Sequence, residues 1–291
     1  MVIDSLIVMY VIVLHSVVPV RTEPREGAEQ DTQLLFGEIC AVTETLPRWY
    51  KIRNLSDGSE GYVDAIMVTP LSDEEYAGYS ESLSKSQARV MLPMIYAVSE
   101  NNGQTIPLTL GTLLPAYHDG QFEVLGVKFR IDSAAVAEQP LPLNQNTLMQ
   151  VLRFMLNTPY LWGGKNAMGM DCSGLTQTVM SLFGIKLPRN ASQQVKCGEQ
   201  VHSLQYAKAG DLVFFDHADP NCEGTFPHNC NGDTRITHVG LLLDNERVIH
   251  CSGRVKIERI DERGIFSAER NGYTHHLAAI KRNMYKCKDH E

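Results

Sequence analysis

No lysine- or arginine-rich patch interrupts these 291 residues, and acidic side chains outnumber basic ones to leave a net charge of -8. That balance argues against nucleic acid as a partner. Long apolar runs are also missing. The most apolar stretch, Ser5 to Val20, is too short and too interrupted to span a bilayer. It lacks a basic leading segment, has Asp4 in front of it, and is followed by no clear small-residue cleavage site, so it does not read as a signal peptide. The better reading is a strand, Met9 to Val13, opening a small barrel. Seven cysteines occur without a repeating spacing. With Cys172 set aside, Cys40, Cys197, Cys222, Cys230, Cys251 and Cys287 do not form the pattern of a dense disulfide framework, and the redox compartment stays open. What is present, 43% hydrophobic and 21% charged residues, is ordinary globular material with room for two or three domains.

The chemistry concentrates at Gly169-Met170-Asp171-Cys172-Ser173-Gly174-Leu175, just after Tyr160-Leu161-Trp162-Gly163-Gly164. Apolar residues at Leu175, Val179 and Leu182 have helical spacing, which puts Cys172 at a helix start behind a glycine-rich loop. Unpartnered amides and the positive helix end favour a thiolate there. A buried structural cysteine would fit the same position, since free cysteine is among the most buried residue types. Two histidines shift the balance. His238 lies in Ile236–Leu243 and His250 in Val248–Cys251, two apolar runs joined by a turn at Asp244-Asn245-Glu246. Antiparallel pairing of those runs brings both imidazoles to one place, and a thiol, a base and a group orienting the base make an acyl-transfer triad.

These motifs come in an ordered series: Pro-Tyr-Leu-Trp-Gly-Gly, Asp-Cys-Ser-Gly, Lys-Leu-Pro-Arg-Asn-Ala-Ser-Gln-Gln, Ala-Gly-Asp-Leu-Val-Phe-Phe, Thr-His-Val-Gly and Val-Ile-His. The series resembles the NlpC-type, papain-like cell-wall cysteine peptidases over residues 145–291. The resemblance implies an α+β domain, helices packed on an antiparallel sheet, with Cys172, His238 and His250 catalytic. Relatives of the dipeptidyl-peptidase VI type cut between γ-D-glutamate and the diamino acid of peptidoglycan-derived peptides with a free N-terminal L-Ala. On that likeness Asp171 and Tyr160 would hold the α-amine, and Ser173 and Trp162 would line the pocket. A carboxylate with a phenol oxygen suits an ammonium, although Asp171 is equally suited to capping the helix. No cofactor and no metal is expected.

Upstream, short aromatic and β-branched runs alternate with turns such as Asp57-Gly58, which reads as hairpins. Residues 1–71 resemble a bacterial SH3-like domain, and 87–132 a second, divergent SH3-like unit whose clearest hairpin turns at Asp119-Gly120. The fold expected is thus a papain-like catalytic domain preceded by small all-β barrels. The polar stretch 72–86 reads as a connector and 133–145 as a linker, followed by a helix capped at Asn146. In relatives an acidic residue of the first barrel helps block glycan-linked substrates, and Glu38 occupies a similar stretch.

Two departures from the family pattern stand out. Asn190-Ala191 replaces a frequent Asp-Ser. An insertion between Phe215 and His238 carries Asp216, His217, Asp219, Cys222, His228, Cys230 and Asp233. Its cysteine spacing is not that of common zinc sites, which favours a local disulfide or a solvated loop. Two other functions use the same sequence: a papain-like amidase or acyltransferase on another substrate, and a non-catalytic wall-binding protein. Diamino acid preference, oligomeric state and compartment (bacterial envelope, periplasm or cytoplasm) are not legible.

Overall fold

Period-two burial shapes the N-terminal half. Along Val17–Arg21 the side chains of Val18 and Val20 turn inward, and Tyr10–Ile12 enters the same sheet as a short strand. The computed structural model describes residues 8–216 and 236–283 and divides into two units, Met1–Gln139 and Pro140–Glu291. In the first, seven strands pair in the order Gln30–Leu35, Val17–Arg21, Glu60–Asp64, Trp49–Asn54, Ile39–Thr45, Tyr10–Ile12, Thr69–Leu71. A four-stranded sheet follows, ordered Thr105–Thr109, Met94–Ser99, Val127–Arg130, Gln121–Val124.

Two expectations for this unit are corrected. Asp73–Lys85 is a helix, not a connector. Ser72 and Glu75 cap it reciprocally and three acidic residues fill its first turn, so a polar sequence holds a helix whose Tyr79 alone is buried. The C-terminal hairpin pairs Gln121–Val124 with Val127–Arg130 and turns at Leu125-Gly126, while Asp119-Gly120 is flanked by a single bridge, His118 to Gln121. One apolar core serves both sheets: Phe36 stands edge-on to Phe122 and Phe129, with Ile12, Leu71, Tyr79 and Leu108 in the same cluster.

The second unit opens with the helix Gln145–Leu152, capped by the Asn144 side chain rather than Asn146. The helix Cys172–Ser181 is buried nearly all round and gives out before Gly184, whose φ of +74° suits glycine. Its sheet runs Glu199–Gln200, Gly272–Arg282, Leu212–Asp216, His238–Leu242, Arg247–Ser252, Arg254–Asp261, Gly264–Ser267. Pairing of Gly264–Ser267 back onto Gly272–Arg282 closes six of these strands into a ring. The α+β class expected is the one observed, with three further strands in its sheet, Glu199–Gln200, Arg254–Asp261 and Gly264–Ser267. Inside the ring lie Val213, Phe215, Leu242, Val248, Ile260 and Leu277. Apart from Asp216, the residues of the expected insertion loop, Cys222 and Cys230 included, lie outside the described residues. Among the described residues no helix is long and apolar enough to cross a membrane.

Candidate active site

Asp171 begins the site. Extended at ψ 179°, it ends the glycine-rich loop and caps the Cys172 helix, its Oδ1 accepting the Gly174 N–H at 2.6 Å. The loop is folded onto that cap. Gly163 N–H donates to Asp171 Oδ2 at 3.0 Å, Asp171 N–H donates to the Gly164 carbonyl at 3.1 Å, and Leu161 N–H donates to the Met170 carbonyl at 2.9 Å. A Cβ on Gly174 would stand 2.1 Å from the Gly164 oxygen, so loop and helix meet at a distance open to glycine alone.

Arg189 locks this corner, and the sequence reading gave it no role. Its Nη1 and Nη2 donate to the two Asp171 oxygens at 3.0 and 2.6 Å, and Nη1 also reaches Ser173 Oγ at 2.9 Å. Arg189 is 1% exposed and Asp171 6%. With Ser173 Oγ donating as well, at 3.2 Å, Asp171 already accepts hydrogen bonds from four residues. This changes the role expected of it. A carboxylate so saturated has no lone pair directed at a substrate ammonium. Ser173 is likewise buried between Asp171 and Arg189.

The Cys172 helix packs on the strands His238–Leu242 and Arg247–Ser252. Backbone amides of Val239 and Ser173 point at the Cys172 sulfur, which therefore sits against the residue next to His238. Register explains the imidazoles. Gly240 stands opposite His250, so His238, two residues away, shares the face of His250 on the diagonal. His238 Nε2 and His250 Nδ1 are 2.8 Å apart. The diagonal continues on the next strand, where Val248 stands opposite Glu258, and Glu258 Oε2 lies 2.8 Å from His250 Nε2. Lys256 Nζ approaches the same carboxylate at 3.1 Å. His275 stacks on the His238 ring at 4.3 Å between centroids.

Burial governs the charges. It pushes the Cys172 thiol up to about 11, with the Asp171 carboxylate adding to the effect and the amides of Val239 and Ser173 opposing it. The thiolate expected from the helix terminus alone is thus not the resting form, because desolvation outweighs the dipole. His238 is held well below its ordinary value by burial and by the neighbouring His250 and His275. His250 is lowered by burial, against the pull of Glu258. Burial pushes His275 down to about 4. Burial raises Glu258, but hydrogen bonding led by His250 outweighs it and leaves the carboxyl at about 2. The Tyr160 phenol is raised by burial and by the charges of Cys172 and Asp171, and its backbone bridges to Met170, two residues before the thiol.

Of the remaining expected residues, Trp162 is 57% exposed on the loop. Glu38 belongs to the first unit, where it accepts hydrogen bonds from the Leu35 amide, Asn54 and Ser56. Among the described residues no group of three or more His, Cys, Asp or Glu side chains could hold a metal.

Residues 157–271 match the NlpC/P60 family, and residues 20–65 match the bacterial dipeptidyl-peptidase Sh3 domain. A gamma-D-glutamyl-L-lysine dipeptidyl-peptidase of Bacillus subtilis (strain 168) is 30% identical over 236 residues, covering 75% of this chain and 71% of its own. An enzyme of the same name from Bacillus cereus (strain ATCC 10987 / NRS 248) is 29% identical over 279 residues, 87% of this chain and 75% of its own. Among solved structures, an NlpC/P60 family protein from Bacillus cereus superposes with a TM-score of 0.75 at 17% identity, over 94% of this chain and 99% of that one.

Proposed function

We propose that this chain, which belongs to the NlpC/P60 family and is a cysteine peptidase, hydrolyses the bond between γ-D-glutamate and the diamino acid in cell-wall peptides with a free N-terminal L-Ala. Cys172 is the nucleophile, His238 the base and His250 the group that orients it. The observation supporting this reading most directly is the 2.8 Å contact between His238 Nε2 and His250 Nδ1, on strands packed against the Cys172 helix.

His238 takes the thiol proton, so the thiolate and the imidazolium arise together. Each offsets the desolvation that disfavours the other. The thiolate attacks the amide carbonyl, backbone amides at the helix start stabilise the oxyanion, and His238 returns the proton to the leaving amine. Water then attacks the thioester by the same route and frees the enzyme. Tyr160 and Trp162, both on the loop that leads to Cys172, contact the substrate. Asp171, tied to Arg189 and Ser173, contributes to the amine pocket through its field and by holding the loop.

The relatives named as gamma-D-glutamyl-L-lysine dipeptidyl-peptidases support this bond as the substrate. The test is incubation with L-Ala-γ-D-Glu-diamino acid peptides, with free and with acetylated N-termini. Cleavage of the free peptide, little of the acetylated one, and none by Cys172→Ala is the expected result. Equal cleavage of both peptides would remove the amine requirement and favour an amidase or acyltransferase; no cleavage of either would leave a binding protein.

A further inference from the structure

We propose that Glu258 is the terminal positioning residue of the site, a carboxylate two hydrogen bonds removed from His238 that dictates which nitrogen of His238 is the base. The inference rests on Cys172 and His238 being the reacting pair. Three strands carry the chain of contacts. His238 Nε2 meets His250 Nδ1 at 2.8 Å, and His250 Nε2 meets Glu258 Oε2 at 2.8 Å. The His250 side chain is 0% and the Glu258 side chain 8% exposed, so water does not compete for these bonds.

Proton bookkeeping along this path has one solution. An ionised carboxylate only accepts, so His250 Nε2 must carry a hydrogen. A neutral His250 then offers a bare Nδ1, which only accepts. His238 must therefore donate from Nε2, and in its neutral form its Nδ1 is left bare, the nitrogen free to draw a proton from sulfur. When His238 takes that proton, both of its nitrogens donate, and the carboxylate charge behind His250 favours the cation. No step along the path consumes Glu258, whose carboxylate meets His250 and Lys256.

A neutral partner at this point would allow the reverse order, with His250 protonated on Nδ1 and His238 bare on Nε2, facing away from sulfur. Lys256, 3.1 Å from the same carboxylate, invites a plainer explanation, a strand-to-strand ion pair with no bearing on the reaction. The two readings part at the tautomer and at the thiol.

The test uses the full chain and Glu258→Asp, Glu258→Gln and Glu258→Leu. Iodoacetamide trapping at neutral pH, read as the mass gain of the Cys172 peptide, reports thiol activation without any substrate. The expected order is near wild-type for Asp, about tenfold slower for Gln and about a hundredfold slower for Leu, with the same order in kcat and an unchanged KM for the peptide. Nitrogen NMR of the wild-type protein should show His250 protonated on Nε2. A His250 carrying its proton on Nδ1, or Glu258→Leu trapping at the wild-type rate, overturns the proposal; should the variants not fold, the wild-type tautomer still decides. If no peptide is cut while trapping follows the expected order, the substrate reading fails and this one stands.

Discussion

Desolvation sets the resting state of the residues proposed to react. With the Cys172 thiol near 11 and His238 far below its ordinary value, both are neutral until a proton passes between them. In His238→Ala the sulfur should titrate as a lone buried thiol, so trapping at pH 8 falls to about a thousandth of its limiting rate and rises tenfold per unit toward pH 11. A trapping rate in His238→Ala equal to wild-type at pH 8 would mean that the imidazole plays no part in activation. Arg189 is a second residue-scale case. Arg189→Met leaves the Asp171 carboxylate buried without its cation, a loss of about 3–5 kcal/mol in denaturant unfolding of the second unit. The meeting of His238 with His250 was legible from the sequence, because two apolar runs joined by the turn at Asp244-Asn245-Glu246 pair antiparallel. Arg189 and Glu258 were not, since nothing local separates a buried arginine or glutamate from a solvated one.

Elements constrain the site through backbone contacts. The Gly174–Gly164 approach involves a carbonyl, which cannot swing aside as a side chain can. Gly174→Ala should therefore cost about 1–3 kcal/mol in thermal or chemical unfolding and lower kcat by displacing the helix start. Unchanged stability and turnover would show the loop to be softer than this contact implies. Strand and helix identity was readable where an unbroken apolar run marks a strand buried on both faces, as in Leu212–Asp216, or supported by motif, as at Cys172. It failed at Asp73–Lys85, where the reciprocal cap of Ser72 and Glu75 was the available signal. It failed also at Arg254–Asp261, where the alternation begun by Val255 and Ile257 is broken by Glu258-Arg259 before Ile260.

At the scale of the whole molecule, the same buried groups govern the response to acid. His275, at about 4 in the fold against 6.5 when unfolded, takes up its proton more readily unfolded, so stability falls as pH drops through that window. Glu258, at about 2 against 4.5, contributes stability above pH 4.5 that is lost as pH falls toward 2. Each is worth about 3 kcal/mol at its limit. Unfolding of the second unit should become progressively easier from pH 6.5 downward, and Glu258→Gln should flatten the lower part of that profile. In the first unit, where one core joins two sheets, Phe36→Ala should cost about 3–5 kcal/mol and lower a single transition for both.

The closed ring of strands in the second unit carries a consequence for how a peptide can be grasped. Many proteases seize their substrate as an added strand, reading an L-peptide through its main-chain ladder. Six strands returned upon themselves leave little free edge among the described residues, where Glu199–Gln200 already lies on Gly272–Arg282 and Pro159 along Arg254. The linkage proposed above as the substrate, which switches handedness and detours through a side-chain carboxyl, would not keep step with a ladder in any case.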